Sequence, residues 1–272
     1  MNIADILISA LLGIVQGLTE FLPVSSSAHL NIMPWLFNWE ITDSFDLALH
    51  AGTLFAILIY FFNDWVDLIK GGVRQVIKRE NTSSGRIFWY IIAATIPAGV
   101  LGVLLEKIVE KLTGGNLNVE MIIISFALII MGILLYVVDM RSPSTVDYKH
   151  MSFKQGFLIG LSQAIAGAVP GVSRSGITMT VARGMHIDRE SAAKYSFLLS
   201  APMIAAAILV SVKDFTFNTA FFVGVITSFL SGMLVIRFLM GYLKKGSYKV
   251  FAVYRIVLGV AIMGIAFFRM LG

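Results

Sequence analysis

GIVQGLTEFLPVSSS occupies residues 13–27, and GLSQAIAGAVPGVSRS occupies residues 160–175. The two are versions of one another. Gln16 aligns with Gln163 and Pro23 with Pro170, both 147 positions on, and a serine cluster follows each proline. Both lie in a chain that is 57% hydrophobic and 14% charged, with a mean hydropathy of +0.84. That composition is outside the soluble range and marks an integral membrane protein. Lipid tolerates irregular backbone only where protein buries it or a cavity borders it. A duplicated pair of Gly- and Pro-broken stretches therefore points to a binding site between two related halves.

Working outward, six segments approach the ~20 mostly apolar residues that a span requires. They are roughly 45–63, 87–105, 119–138, 195–211, 219–239 and 250–268. They alternate with charged loops, which suits helices rather than the short alternating segments of barrel strands. Residues 3–15 are too short for a span before Gln16, Glu20 and Pro23 intervene. Residues 156–182 are interrupted by Pro170, Gly171 and the Ser-Arg-Ser of 173–175. Each of these two regions is expected to form a helix–break–helix hairpin that enters the membrane and turns back. The expected fold is an all-α polytopic membrane protein with six transmembrane helices and two re-entrant helix hairpins.

The duplication continues beyond the hairpins. FDLALHAGTLFAIL (45–58) aligns with YSFLLSAPMIAAAI (195–208), and IIMGI (129–133) with AIMGI (261–265). Residues 1–272 thus read as a single integral membrane domain whose repeat halves cover about 1–140 and 150–272. One hairpin and three spans per half is an odd number of crossings, so the second half inserts upside down: an inverted-topology repeat. Charge agrees with this, because Lys and Arg collect on the cytoplasmic side. With the 64–86 loop inside, sixteen Lys and Arg fall inside, Arg183 and Arg255 among them, against four outside. Arg174 is left for the second hairpin, and residues 1–44 contain no Lys or Arg. The first hairpin then enters from outside and the second from the cytoplasm, and they meet at mid-depth.

Other features narrow the chemistry. The absence of cysteine removes disulfides, thiolate metal sites and cysteine nucleophiles. MNIADILISALLG has no basic n-region, which argues against a cleaved signal peptide. The net charge of +5 calls for no nucleic-acid partner. The stretch 65–80 reads as an interfacial helix drawn to anionic membrane lipids. Asp46 and His50, four apart, read as an interhelical hydrogen bond; the aligned Ser196 and Ser200 suggest that the same face borders a cavity.

Gln16 and Glu20 share one helix face, and a carboxylate with an amide oxygen can hold a hard divalent cation such as Mg²⁺ or Ca²⁺. Beyond Pro23, Ser26 and His29 offer a nucleophile and a proton acceptor, flanked by Ser25 and Ser27. In the second copy, Arg174 carries a fork that matches phosphate oxygens. An Arg–Glu20 ion pair across the repeat is the plainer reading of Arg174, and it suits an empty site. Gly171 and Gly176 would let backbone N–H groups approach an anion, with Ser173, Ser175 and Thr178 alongside.

GLTEFLPVSSSAHL (17–30) and PGVSRSGIT (170–178) resemble the two signature motifs of the undecaprenyl-diphosphate phosphatase family, the bacitracin-resistance type. The similarity extends over nearly the whole chain. It implies hydrolysis of a polyprenyl diphosphate lipid to the monophosphate, recycling a carrier for cell-wall synthesis in the bacterial cytoplasmic membrane, with product formed on the outer face. It also implies that Glu20 helps bind the divalent ion, that Ser26 and His29 are catalytic, and that Arg174 grips the diphosphate. Where the family pattern admits Glu or Gln, this chain has Gln16. Self-association as a homodimer is an arrangement the sequence permits. The alternative class is a flippase moving a polyprenyl phosphate by alternating access, which would need Arg174 but not a Ser–His–Glu cluster. Acid-phosphatase-like membrane enzymes would want a histidine six positions after Arg174, where Thr180 stands.

Overall fold

A computed structural model describes residues 3–39, 41–113 and 116–271. Backbone polar groups in lipid must be satisfied within the segment, and the apolar stretches accordingly form helices. In order these are α1 (Ile3–Phe21), α2 (Ser26–Phe37), α3 (Asp43–Tyr60), α4 (Phe62–Ile77), α5 (Ser83–Thr113) and α6 (Leu117–Arg141). The second half holds α7 (Phe153–Leu161), α8 (Gln163–Ala168), α9 (Arg174–Gly184), α10 (Arg189–Ser211), α11 (Thr219–Leu243) and α12 (Lys249–Leu271). Among the described residues, six helices are long and apolar enough to cross a membrane: α1, the Ser83–Val109 part of α5, α6, α10, α11 and α12. α3 qualifies together with α4, from which it is bent by 76°. The protein is an all-α, multi-pass membrane protein.

Five of the six expected spans each lie within one helix, 45–63 instead crosses the bend between α3 and α4, and the hairpins differ in detail from the sequence expectation. α1 does not stop before Gln16; it runs unbroken through Gln16 and Glu20 for 19 residues, ~28 Å. Both polar side chains find protein partners, so neither forces a break. The second hairpin breaks twice, at Ser162, whose hydroxyl bonds back to the Ile159 carbonyl at 2.6 Å, and again at 169–173.

Both units do turn back on themselves. Leu30 of α2 shares an apolar cluster with Leu12 and Ile8 of α1. Gln155 at the start of α7 donates to the carbonyl of Met185, just past α9, at 3.1 Å. α6, ~37 Å long by helical rise, supplies a ruler between the two bases. Trp35 near the end of the first hairpin donates to Asn118 at the N-terminal end of α6 (3.2 Å). Arg183 near the end of the second pairs with Asp139 at the C-terminal end of α6 (2.9 Å). The hairpins therefore enter from opposite ends of the bundle.

Small residues bring the helices together, as expected where lipid gives no hydrophobic drive to associate. Gly13 and Gly17 of α1 lie against α11. A Cβ on Gly17 would fall 2.0 Å from Ser231 Oγ and 2.5 Å from the Ser228 carbonyl. α7 and α8 pack against α5 in the same manner, Gly160 facing Ala94. Each hairpin thus rests on a long helix of the other half.

Candidate active site

The site begins with two strained serines. Ser25 has φ 77 and Ser173 has φ 70, a region that non-glycine residues rarely adopt and that costs about 1–3 kcal/mol each. Both are N-caps of the helix after the break. Ser25 Oγ accepts from the Ala28 N–H (3.3 Å) and Ser173 Oγ from the Gly176 N–H (3.1 Å). Each also lies 3.2 Å from the serine two positions on, Ser27 or Ser175. The same local geometry therefore projects Ser26 from one hairpin tip and Arg174 from the other, each as the first residue of its helix.

The tips touch. Ser175 Oγ donates to the Leu22 carbonyl at 3.1 Å, and the Gly171 N–H donates to Ser27 Oγ at 3.5 Å. Arg255 of α12, fully buried, clamps both breaks: its guanidinium donates to the carbonyls of Pro23 (3.2 Å), Gly171 (2.9 Å) and Val172 (2.8 Å). At the junction, Arg174 Nη2 meets Glu20 Oε1 at 2.5 Å and Ser26 Oγ donates to Glu20 Oε2 at 2.6 Å. Gln16 Nε2 donates to the same Oε2 at 3.2 Å and lies 2.9 Å from His50 Nδ1. His50 is itself 3.7 Å from Glu20. A cavity of about 320 Å³ opens beside this group; Glu20, Ser26, Ser27, Ser173, Arg174 and Ser175 all border it.

Several of the residues expected in the site serve elsewhere. His29 does not join Ser26. Its Nδ1 is held by the Ser25 carbonyl (2.7 Å) and its Nε2 by the Tyr254 hydroxyl (2.7 Å), and the two rings stack. Ser25 is fully buried as a cap. The amides of Gly171 and Gly176 already serve Ser27 and Ser173, so they are not open to an anion. A Cβ on Gly176 would lie 2.4 Å from Arg255 Nη1, and Gly171 has φ +91. These glycines admit close packing and a turn. Thr178 is buried, bonding Ser196 Oγ (2.7 Å) and the Arg174 carbonyl (2.8 Å), and steadies the first turn of α9.

Four residues enter that sequence reasoning passed over or undervalued. His50 borders the cavity and approaches Glu20 more closely than Asp46, which is 3.9 Å away. Glu106 and Gln163 border it as well. Arg255 had a signal: an ionisable residue inside a span is a functional candidate, yet it was counted as a cytoplasmic charge. Arg183, buried against Asp139, was counted in the same way. The inside excess survives without both.

The model of the family described as bacitracin resistance protein BacA matches residues 9–261. The chain belongs to this family. Its relatives include an undecaprenyl-diphosphatase of Pelotomaculum thermopropionicum, 46% identical over 265 residues, covering 96% of this chain and 97% of that one. The undecaprenyl-diphosphatase of Desulforudis audaxviator is 45% identical, covering 95% and 97%. That of Methanosphaera stadtmanae is 38% identical, covering 94% and 96%. The family match contains both hairpin tips and every residue of the junction.

Proposed function

We propose that this protein hydrolyses undecaprenyl diphosphate to the monophosphate and inorganic phosphate, returning the carrier lipid to cell-wall synthesis and giving resistance to bacitracin. The observation that carries this reading is the meeting of Arg174, Glu20 and Ser26 at one cavity, in a chain that aligns end to end with undecaprenyl-diphosphatases. Phosphoryl transfer asks for positioning and charge neutralisation. The transport alternative finds no support in the relatives, and moving a lipid needs no hydroxyl hydrogen-bonded to a buried carboxylate.

In the free protein Arg174 neutralises Glu20. An arriving diphosphate offers the guanidinium a better, bidentate partner. Glu20, released from it, takes the proton of Ser26 Oγ. The activated oxygen attacks the terminal phosphorus, and the bridging P–O bond breaks as the lipid monophosphate leaves. Water then frees phosphate from the serine. His29, held by Ser25 and Tyr254, orients the start of α2 rather than accepting this proton. A divalent cation, Mg²⁺ or Ca²⁺, fits the donor types: Gln16 Oε1 is a buried oxygen without a hydrogen-bond partner, on the side chain whose Nε2 donates to the Glu20 carboxylate. Those two residues would hold it, with phosphate and water oxygens completing the shell, and it would supply further charge neutralisation.

The cavity lies along the C-terminal half of α5, from Ala98 to Glu106. That end of the bundle carries few Lys and Arg, which supports a pocket opening to the outer face of the cytoplasmic membrane. We read 1–140 and 150–272 as halves of one membrane domain, a reading the matched caps at Ser25 and Ser173 support. The test is phosphate release from undecaprenyl diphosphate by purified protein in detergent. Arg174→Ala and Glu20→Ala should each abolish it while leaving the protein folded; full activity in either would sink the assignment.

A further inference from the structure

Gln163 of α8 borders the cavity and is 3% exposed, yet neither its Nε2 nor its Oε1 has a hydrogen-bond partner. A buried polar group left unpaired opposes folding, and each such case requires a reason. The repeat supplies one. Gln16, its counterpart, donates to Glu20 and meets His50. The same positions in the second half are Gly167 and Ser200. Ser200 is fully buried and spends its hydroxyl on the Phe197 carbonyl at 2.6 Å. Both partners are gone and the amide is still there.

The glycines around Gln163 give an independent sign. Gly13 and Gly17 are glycine because a Cβ would collide with α11 at 2.0 Å. Gly167, Gly102 and Gly99 are under no such pressure. A Cβ on Gly167 would come no nearer than 3.8 Å to anything, one on Gly102 no nearer than 3.7 Å, and one on Gly99 no nearer than 3.8 Å. All three border the cavity. Their missing side chains keep open the cavity that Gln163 borders.

We infer that Gln163 Nε2 donates to an oxygen of the lipid substrate's diphosphate, which takes the place a carboxylate at position 167 would fill. Gln16 and Gln163 then perform the same task, one for the anionic side chain of Glu20 and the other for an anionic ligand. Arg174 and Gln163, on α9 and α8, grasp the headgroup from two elements of the same hairpin. This rests on the phosphatase reading above, and it adds a substrate contact that lies outside both signature stretches.

The experiment compares the parent chain, Gln163→Met and Gly167→Glu, purified in detergent, by phosphate release from undecaprenyl diphosphate and by thermal unfolding. Gln163→Met should lower kcat/KM at least about tenfold, mainly through KM, the loss expected for a hydrogen bond to a charged group. Its unfolding midpoint should equal or exceed the parent's, because the unpaired amide is gone. Gly167→Glu should rebuild the Gln–Glu pair, fill the cavity and fold without activity. Gln163→Met with kcat/KM within about twofold of the parent would overturn the inference. So would a loss of activity that tracks a lower midpoint. A parent chain that releases no phosphate would instead refute the phosphatase reading on which it rests.

Discussion

At the scale of single residues, the proposed chemistry turns on Glu20. Its two oxygens face Arg174 from the other half and Ser26 from the next helix. The carboxylate that receives Ser26's hydrogen bond is placed to be its base, whereas the nitrogens of His29 are committed to Ser25 and Tyr254. Ser26→Ala should therefore lower kcat by about 10²–10⁴, the range for removing a group from acid–base and nucleophilic work. His29→Ala should cost clearly less, as the loss of an orienting contact. Steady-state phosphate release checks both, and a larger loss in His29→Ala would return the base to the histidine. That Glu20, Ser26 and Arg174 would meet was legible because polar residues in broken apolar text are conspicuous. The turn of His29 toward Tyr254 was not legible, because sequence gives proximity along the chain but not which way a ring points. Gln163 was legible only as half of a repeat; its lack of partners is a property of three dimensions.

At the scale of elements, the two breaks must be held against each other, and one side chain does much of that. Arg255 donates to carbonyls at both tips while its own helix, α12, packs along α6. Unsatisfied buried carbonyls cost about 1–3 kcal/mol each. Arg255→Met should lower the thermal unfolding midpoint and phosphate release together, and Arg255→Lys, which keeps a donor but loses the fork, should fall between. Activity lost at an unchanged midpoint would instead place Arg255 in the chemistry. Five of the spans, in α5, α6, α10, α11 and α12, were readable from hydropathy alone. The unbroken course of α1 through Gln16 and Glu20 was not, because a polar residue breaks a membrane helix only when it lacks partners, and here the partners come from α3 and α9. The extra break at Ser162 is likewise set by local hydrogen bonding, which composition does not report.

At the scale of the whole molecule, the architecture explains why a symmetric frame can hold an asymmetric site. Two hairpins enter from opposite ends of α6, each rests on a long helix of the other half, and their tips present Ser26 and Arg174 with the same cap geometry. The first copy keeps the acid at Glu20, and the second has Gly167 and an open cavity in the equivalent place. Neither half has a complete site. The central claim is that Glu20 and Arg174, 154 residues apart, act as one catalytic unit. A double-mutant cycle on phosphate release tests it most directly, using Glu20→Gln, Arg174→Lys and the pair, conservative changes chosen to leave rates that can be measured. Groups that work as a unit are strongly non-additive. If the two act as one unit, the pair loses little more than the worse single variant; losses that simply multiply would show that they act independently.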